Sequence, residues 1–266
     1  MNRRIAERIR AGESLVGVVV KIPGAAMVET AGLAGFDLVV IDAEHGAGDT
    51  ALLEDHLRAA SAAGIAALVR VGRNGDLEVL RALDAGAAGI VVPHVDDAAA
   101  AEQAVTAAYY PPRGRRGLAT STRAGRYGLT SLAAHVRRAN DATVVIVQVE
   151  DVAAVPHARA IADVPGVDAV FLGPTDLSMS LGRPGDVEHP DVADAIDRVV
   201  AGVGDGDAGL CVFAPTVDSA LGWRRKGAQI VLFGGPAILS HGFRQIVGAV
   251  KDGPPATPDS PLQVHR

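Results

Sequence analysis

Charged side chains stand where apolar runs end, and a charge beside a buried run is costly unless it is paired or bound to something. The run TVVIVQVE ends in Gln148 and Glu150, and the next, VDAVFLG, is followed by Pro174, Thr175 and Asp176. Two carboxylates, completed by water and substrate oxygens, make an octahedral site suited to Mg²⁺ or Mn²⁺. The plainer reading is that Asp176 and Glu150 or Asp151 cap the helices that follow. FDLVVID runs into Asp42, Glu44 and His45. An Asp orienting an imidazole is a common general-base arrangement, although His45 also reads as a surface-loop histidine. Arg70 ends AALVR, where it can bind a carboxylate or stabilise an enolate oxygen. Its alternative is a structural ion pair with Asp42 or Glu44.

Gly173-Pro174-Thr175 can offer the backbone N–H groups of Thr175 and Asp176 to a carboxylate, Pro174 having none. The alternative is an ordinary strand-to-helix turn. Phe213 and Trp223 are candidates for an apolar wall or for core packing, and His94 is a secondary candidate for the pocket. Arg113, Arg115, Arg116 and Arg123 form a basic loop that suits a solvated face, a subunit contact or the anionic tail of a substrate. Cys211, the only cysteine, reads as core and excludes an internal disulfide framework.

These residues need a frame that gathers them. Eight β-rich apolar runs alternate with helix candidates: 15–22, 36–42, 66–71, 89–95, 143–150, 167–173, 209–214 and 228–235. Most are continuous rather than alternating, as strands covered on both faces are. The helices are expected at 25–34, 50–63, 76–85, 97–108, 129–140, 151–162, 190–203, 217–226 and 237–250, with Gly35, Gly64, Gly86 and Gly227 near helix ends. Eight βα units in about 250 residues predict an α/β fold, a (β/α)8 TIM barrel. A doubly wound open sheet is the alternative, but no GxGxxG follows the first run. Residues 1–250 are expected to form one barrel and 251–266 a Pro-rich tail. The long insert at 109–128 is of a kind that serves as a lid or oligomer contact.

Composition excludes other classes. Of the 266 residues, 48% are hydrophobic and 21% charged, which suits a packed globular chain. A net charge of −6 argues against a nucleic-acid binder. The apolar run 15–20 is too short for a signal peptide, and no segment approaches the roughly 18 apolar residues of a membrane span. A cytoplasmic protein is expected.

GFDLVVIDAEHG, ALVRVG, AGAAGIVVPHVDDAAAAEQAVTAAYYPPRGRRG, VQVED and GVDAVFLGPTDLSMSLGRPGDVEHPDV follow one another in order and together resemble the HpcH/HpaI aldolases over roughly residues 1–250. These are metal-dependent class II aldolases of 4-hydroxy-2-oxo acids. The resemblance implies a (β/α)8 barrel in a homo-oligomer, a hexamer built as a dimer of trimers with an exchanged C-terminal helix. It implies a divalent ion (Mg²⁺, Mn²⁺ or Co²⁺) on Glu150 and Asp176, and His45 with Asp42 as the catalytic pair. It makes Arg70 the enolate stabiliser, Gln148 a holder of the keto acid, and Gly173-Pro174-Thr175-Asp176 the carboxylate loop. Phe213 joins the substrate-binding set. The substrates would be pyruvate, or a related 2-oxo acid, and an aldehyde, with no nucleic acid or membrane partner.

Two departures bear on the substrate. Many members read GIRGVG where this chain has GRRGLATST, and many have Ser-Asp after the last strand where this chain has Gly235-Pro236. No Schiff-base lysine is required, and Lys21 is the one lysine at a strand end. The alternatives are a citramalyl-CoA or malyl-CoA lyase relative, with the arginine loop as its coenzyme surface, and a catalytically silent barrel.

Overall fold

The computed structural model describes residues 3–46 and 49–251. Eight parallel strands close into a barrel in chain order: β1 (Leu15–Val20), β2 (Leu38–Asp42), β3 (Ala66–Arg70), β4 (Gly89–Val92), β5 (Val144–Val149), β6 (Ala169–Leu172), β7 (Gly209–Phe213) and β8 (Ile230–Gly234). β1 pairs with β8 as well as β2, so the sheet has no edge and the open doubly wound arrangement is excluded. The helices are α1 (Arg3–Arg10), α2 (Ala25–Leu33), α3 (Thr50–Ala63), α4 (Asp76–Asp84), α5 (Ala98–Ala108), α6 (Leu132–Ala142), α7 (Ala158–Ala162), α8 (Pro174–Ser180), α9 (Pro190–Gly204), α10 (Val217–Arg225) and α11 (Gly235–Lys251).

The apolar runs hide a two-residue alternation. Leu38, Val40, Leu68, Val91, Ile146, Phe171, Cys211 and Leu232 pack inside the barrel. Val39, Ile41, Val69, Ile90, Val145, Val170 and Val212 face outward onto the helices. Both faces are therefore apolar, which makes each run continuous. Gly17 stands in the inner set, where a Cβ would come within 2.7 Å of Leu232 and 2.9 Å of Leu38, so these two leucines fill the space a side chain would take.

α1 was not anticipated, because its apolar edge is only Ile5, Ala6 and Ile9 among several arginines. Those three residues pack with the barrel's inner cluster. Arg10 then pins the helix, donating to Asp168 at 2.7 Å and to the carbonyls of Asp141 and Thr143 at 2.8 and 3.0 Å. α8 is the helix expected to follow an Asp176 cap, but it begins at Pro174 with Gly173 at the N-cap, so Asp176 lies inside its first turn. The single helix expected at 151–162 is instead a 3-10 segment, Val152–His157, followed by α7; Pro156 lies where an α-helix would need its missing N–H. α6 starts three residues later than expected because Ser131 caps it, accepting from the Ala134 N–H.

The insert folds back on the helical layer, and its arginines hold it there. Arg116 is buried and pairs with Asp84 at 2.7 Å, while Arg115 pairs with Asp76 at 3.0 Å. Arg113 donates to the Asn140 carbonyl at 2.6 Å and stacks on Tyr109. Arg123 donates to the carbonyls of Ala85 and Leu57 and to Ser61. These engagements correct the reading of this loop as the binder of an anionic tail. Among the described residues no helix is long and apolar enough to cross a membrane. The Pro-rich tail, beyond Lys251, lies outside the described residues.

Candidate active site

Continuing the inner column of each strand by one step past the barrel core places polar residues over its C-terminal mouth. Asp42 follows Val40, Arg70 follows Leu68, Gln148 and Glu150 follow Ile146, and Gly173 follows Phe171. There they border a cavity of about 280 Å³. His45, Arg70, Gln148, Gly173, Pro174, Thr175, Asp176 and Phe213 all line it, joined by Val19, Lys21, Val40 and Phe171. Asp42 and Glu150 are buried and bonded to members of that lining.

Arg70 is the centre of a buried network. Its Nε and Nη2 donate to Asp42 Oδ1 and Oδ2 at 3.1 and 2.5 Å. Its Nη1 lies 3.2 Å from Glu44 and donates to Gln148 Oε1 at 3.4 Å. The ion pair considered from the sequence thus exists, and it leaves Nη1 as the edge of the guanidinium turned toward Gln148. Burial pushes the Asp42 carboxyl up, but hydrogen bonds and charge from Arg70 outweigh it and hold the group below its ordinary value.

The arrangement of Asp42 and His45 differs from the expected pair. Asp42 Oδ1 accepts the backbone N–H groups of Glu44 and His45, both at 3.1 Å. It shapes the turn that carries His45 rather than touching the ring. The imidazole is 58% exposed, and its nearest charged partner is Glu44 at 3.9 Å. It lines the cavity free to meet a substrate.

Glu150 is held by Gln148, which donates to its Oε2, and by the His94 backbone N–H at 3.0 Å. Burial foremost, then the charges of Asp176 and Glu44, push its carboxyl up to about 7 against the opposing pull of His94. Glu150 is buried while Asp176 is exposed at the mouth, and like charges brought together in this way are unfavourable by themselves and are relieved by a cation. Gly173 leaves the approach open: a Cβ there would lie 3.0 Å from Glu150 Cβ, 3.2 Å from its Oε2 and 3.3 Å from Gln148 Nε2. Glu44 Oε2 is buried with the Arg70 guanidinium at 3.2 Å as its ion-pair partner. The residues therefore fit a hard divalent ion with two protein carboxylates and the remaining positions left to water and substrate. Among the described residues, no group of three or more His, Cys, Asp or Glu is arranged to enclose a metal.

His94, a secondary candidate for the pocket, stands just beyond β4. Its backbone is strained, with φ 53°, and its Nδ1 lies 2.9 Å from Asp151 and 3.4 Å from Glu150. Strained residues gather at functional sites. Trp223 packs on the outer core, away from the cavity. Cys211 is buried inside the barrel, where desolvation pushes its thiol up. Val19, Val40 and Phe171 were missed as lining residues, although the two-residue inner alternation marks all three.

The family model for HpcH/HpaI aldolase/citrate lyase matches residues 16–237. A hydroxypyruvate/pyruvate aldolase of Sagittula stellata is 39% identical over 73% of this chain and 76% of its own. A hydroxypyruvate/pyruvate aldolase of Pseudomonas aeruginosa is 32% identical over 95% of this chain and 94% of its own. The crystal structure of an HpcH/HpaI aldolase/citrate lyase family protein from Burkholderia cenocepacia superposes with a TM-score of 0.89 at 34% identity, over 94% of this chain and all 100% of that one. The inner columns, the charged mouth and these matches agree: the chain belongs to the HpcH/HpaI aldolase/citrate lyase family and is a carbon–carbon lyase of the aldolase class.

Proposed function

We propose that this lyase is divalent-metal-dependent and makes or cleaves the C3–C4 bond of 4-hydroxy-2-oxo acids, with pyruvate or a related 2-oxo acid and an aldehyde as the smaller partners. The observation that carries the metal reading is Glu150, buried at the end of β5, with Asp176 in the first turn of α8 after β6 among the charges that push its carboxyl up to about 7, and Gly173 keeping the approach open. Glu150 and Asp176 would hold Mg²⁺, Mn²⁺ or Co²⁺, which supplies a Lewis acid for the C2 oxygen.

The chain's own residues do the rest. Gln148 and the backbone N–H groups of Thr175 and Asp176, at the start of α8, orient the 2-oxo acid. Arg70 Nη1 adds positive charge where the enolate oxygen develops. In cleavage, His45 takes the C4 hydroxyl proton. The electron pair of the broken O–H bond forms the π bond of the aldehyde carbonyl, and the C3–C4 pair moves to form the enolate. A proton is then returned to C3, giving the methyl group. Asp42 fixes the His45 backbone and the Arg70 guanidinium together, so base and oxyanion donor share one anchor. Phe213 gives the cavity an apolar wall.

The citramalyl-CoA or malyl-CoA alternative loses its supporting feature, since the arginine loop is engaged within the chain. The assay is pyruvate release from a 4-hydroxy-2-oxo acid, abolished by chelator and restored by Mg²⁺ or Mn²⁺. Chelator-insensitive turnover would overturn the metal dependence.

The same reading makes the chain a cytoplasmic homo-oligomer, a hexamer of two trimers. In support, α11 carries an exposed apolar set, with Phe243 at 64% and Val250 at 80% exposure beside Ile246 and Val247. Light scattering should give a mass near six chains; a monomer at micromolar concentration would refute it.

A further inference from the structure

The cavity has two kinds of wall. On one side, Arg70 at the end of β3 is bonded to Gln148 on β5, and Gln148 to Glu150 just beyond it. β1 lies four strands from β5 in either direction around the closed barrel, on the opposite side of the mouth. From the end of β1, Lys21 reaches into the lining, with Val19 below it and Phe213 nearby on β7. Its Nζ lies 3.5 Å from Asp42 Oδ2, an ion pair at long range, and its side chain is 41% exposed. Asp42 is already occupied by both Arg70 nitrogens and two backbone N–H groups. Among the described lining residues, Arg70 and Lys21 are the permanent cations, and Arg70 has its partners in place. Lys21, with one long ion pair and a side chain 41% exposed, has capacity for a further anionic partner.

The cavity is larger than a three-carbon keto acid requires: about 280 Å³ is room for roughly nine waters at about 30 Å³ each. If the 2-oxo acid sits against β5 and β6, the electrophile extends across the mouth toward β1. We propose that Lys21 is a specificity-determining residue that binds a carboxylate carried by the aldehyde, so that this lyase prefers acidic aldehydes over neutral ones of the same size. The inference rests on the aldolase reading above. Val19 and Phe213 offer no competing charge, so the ammonium decides which polar end is accepted on this arc.

The test compares glyoxylate with glycolaldehyde as acceptors for pyruvate, at saturating Mn²⁺, in wild type, Lys21→Met and Lys21→Arg. The expected result is a glyoxylate-to-glycolaldehyde ratio of kcat/KM that falls about 10-fold in Lys21→Met, the lower end for a charge-assisted contact because Lys21 is partly solvated. Lys21→Arg should stay within about 3-fold of wild type, since it keeps the charge. Raising salt above about 0.1 M, where the Debye length is about 10 Å, should erode the preference in wild type and not in Lys21→Met. An unchanged ratio in Lys21→Met overturns the role of Lys21 while leaving the aldolase reading intact. Absence of turnover with both aldehydes in wild type overturns the aldolase reading, and this inference with it.

Discussion

Asp42→Asn separates two ways in which an acid near a catalytic histidine can matter. Asp42 has no exposed side-chain surface and takes four hydrogen bonds: Glu44 N–H and His45 N–H at 3.1 Å, Arg70 Nε at 3.1 Å and Arg70 Nη2 at 2.5 Å. Asparagine keeps one oxygen for the backbone pair, but its NH2 then faces Arg70, donor against donor. Removing one partner of a buried pair costs about 3–5 kcal/mol. Glu44 remains 3.2 Å from Nη1 and offsets part of this, so the low end, about 3 kcal/mol, applies. For a chain of this size that is a Tm drop of about 6 °C, at about 2 °C per kcal/mol. Calorimetry on the variant should show this drop, and kcat per folded molecule should fall as well, because the Arg70 and His45 positions both loosen. Acid behaviour gives a second reading. The folded pKa of Asp42 is depressed, so its contribution is full above the unfolded value of about 3.9 and is lost as pH falls below it; the variant lacks that loss. A Tm within about 1 °C of wild type, together with a reduced kcat, would refute the anchoring role and return Asp42 to direct action on the His45 ring.

Glu150→Gln or Asp176→Asn should weaken Mn²⁺ binding by at least about 100-fold in calorimetry with the circular dichroism of the barrel unchanged, since even outer-sphere partners are worth 10–100-fold; unaltered affinity in both would end the metal assignment. His45→Ala should still bind pyruvate and metal but lose about 10²–10⁴-fold in aldol cleavage, and deuterium exchange at the pyruvate methyl should fall with it; wild-type exchange would exclude His45 as the proton carrier. His56 is buried, its Nε2 accepts the Gly24 N–H at 3.0 Å, and burial holds its pKa down against the charge of Asp55. The unfolded chain therefore takes up the proton first, so stability is full above about pH 6.5 and declines below it, by at most about 1.4 kcal/mol per pH unit. His56→Gln should flatten the urea midpoint between about pH 7 and 5.5; an unchanged slope would show that His56 does not titrate differently on folding.

The barrel was legible because each of its eight apolar runs became a strand, trimmed by one to three residues at the ends. The charged residues at the run ends were legible for the same reason: they break a pattern that the core enforces. What the sequence concealed was side-chain direction. Asp42 lies three residues before His45, which suggests an acid beside a base. Yet the tight turn after β2 aims the carboxylate at the His45 backbone and across to Arg70 on β3, its register partner. Sequence spacing cannot tell a ring contact from a backbone contact. The arginine loop was illegible for a related reason. Its partners are mainly carbonyls and acids tens of residues away, such as Asp84 and Leu57, which only the packing of α3 and α4 brings near. α1 escaped notice because three apolar residues suffice when the partner is the end of a barrel rather than a flat sheet.

The same geometry explains why chemistry transfers through this family more readily than substrate. Four of the residues proposed to act on the keto acid, at the ends of β2, β3 and β5, are bonded in a chain: Asp42 to Arg70, Arg70 to Gln148, Gln148 to Glu150. Replacing one leaves a buried partner unsatisfied, which costs stability as well as activity. The facing arc is built differently. Val19 and Phe213 make only apolar contacts, and Lys21 touches the network through one long ion pair. Substitution there changes the cavity's shape and charge without orphaning a buried polar group, so its thermodynamic cost is small. Gly235-Pro236, at the head of α11 beyond β8, borders this freer arc, and a Cβ at Gly235 would come within 2.8 Å of Met27 and 3.0 Å of the Val19 carbonyl. The departure from Ser-Asp at this place therefore belongs with a close approach of α11 and α2 to β1. It brings backbone rather than a second charge to the wall beside Lys21, which leaves the lysine to set the polarity of that end of the cavity.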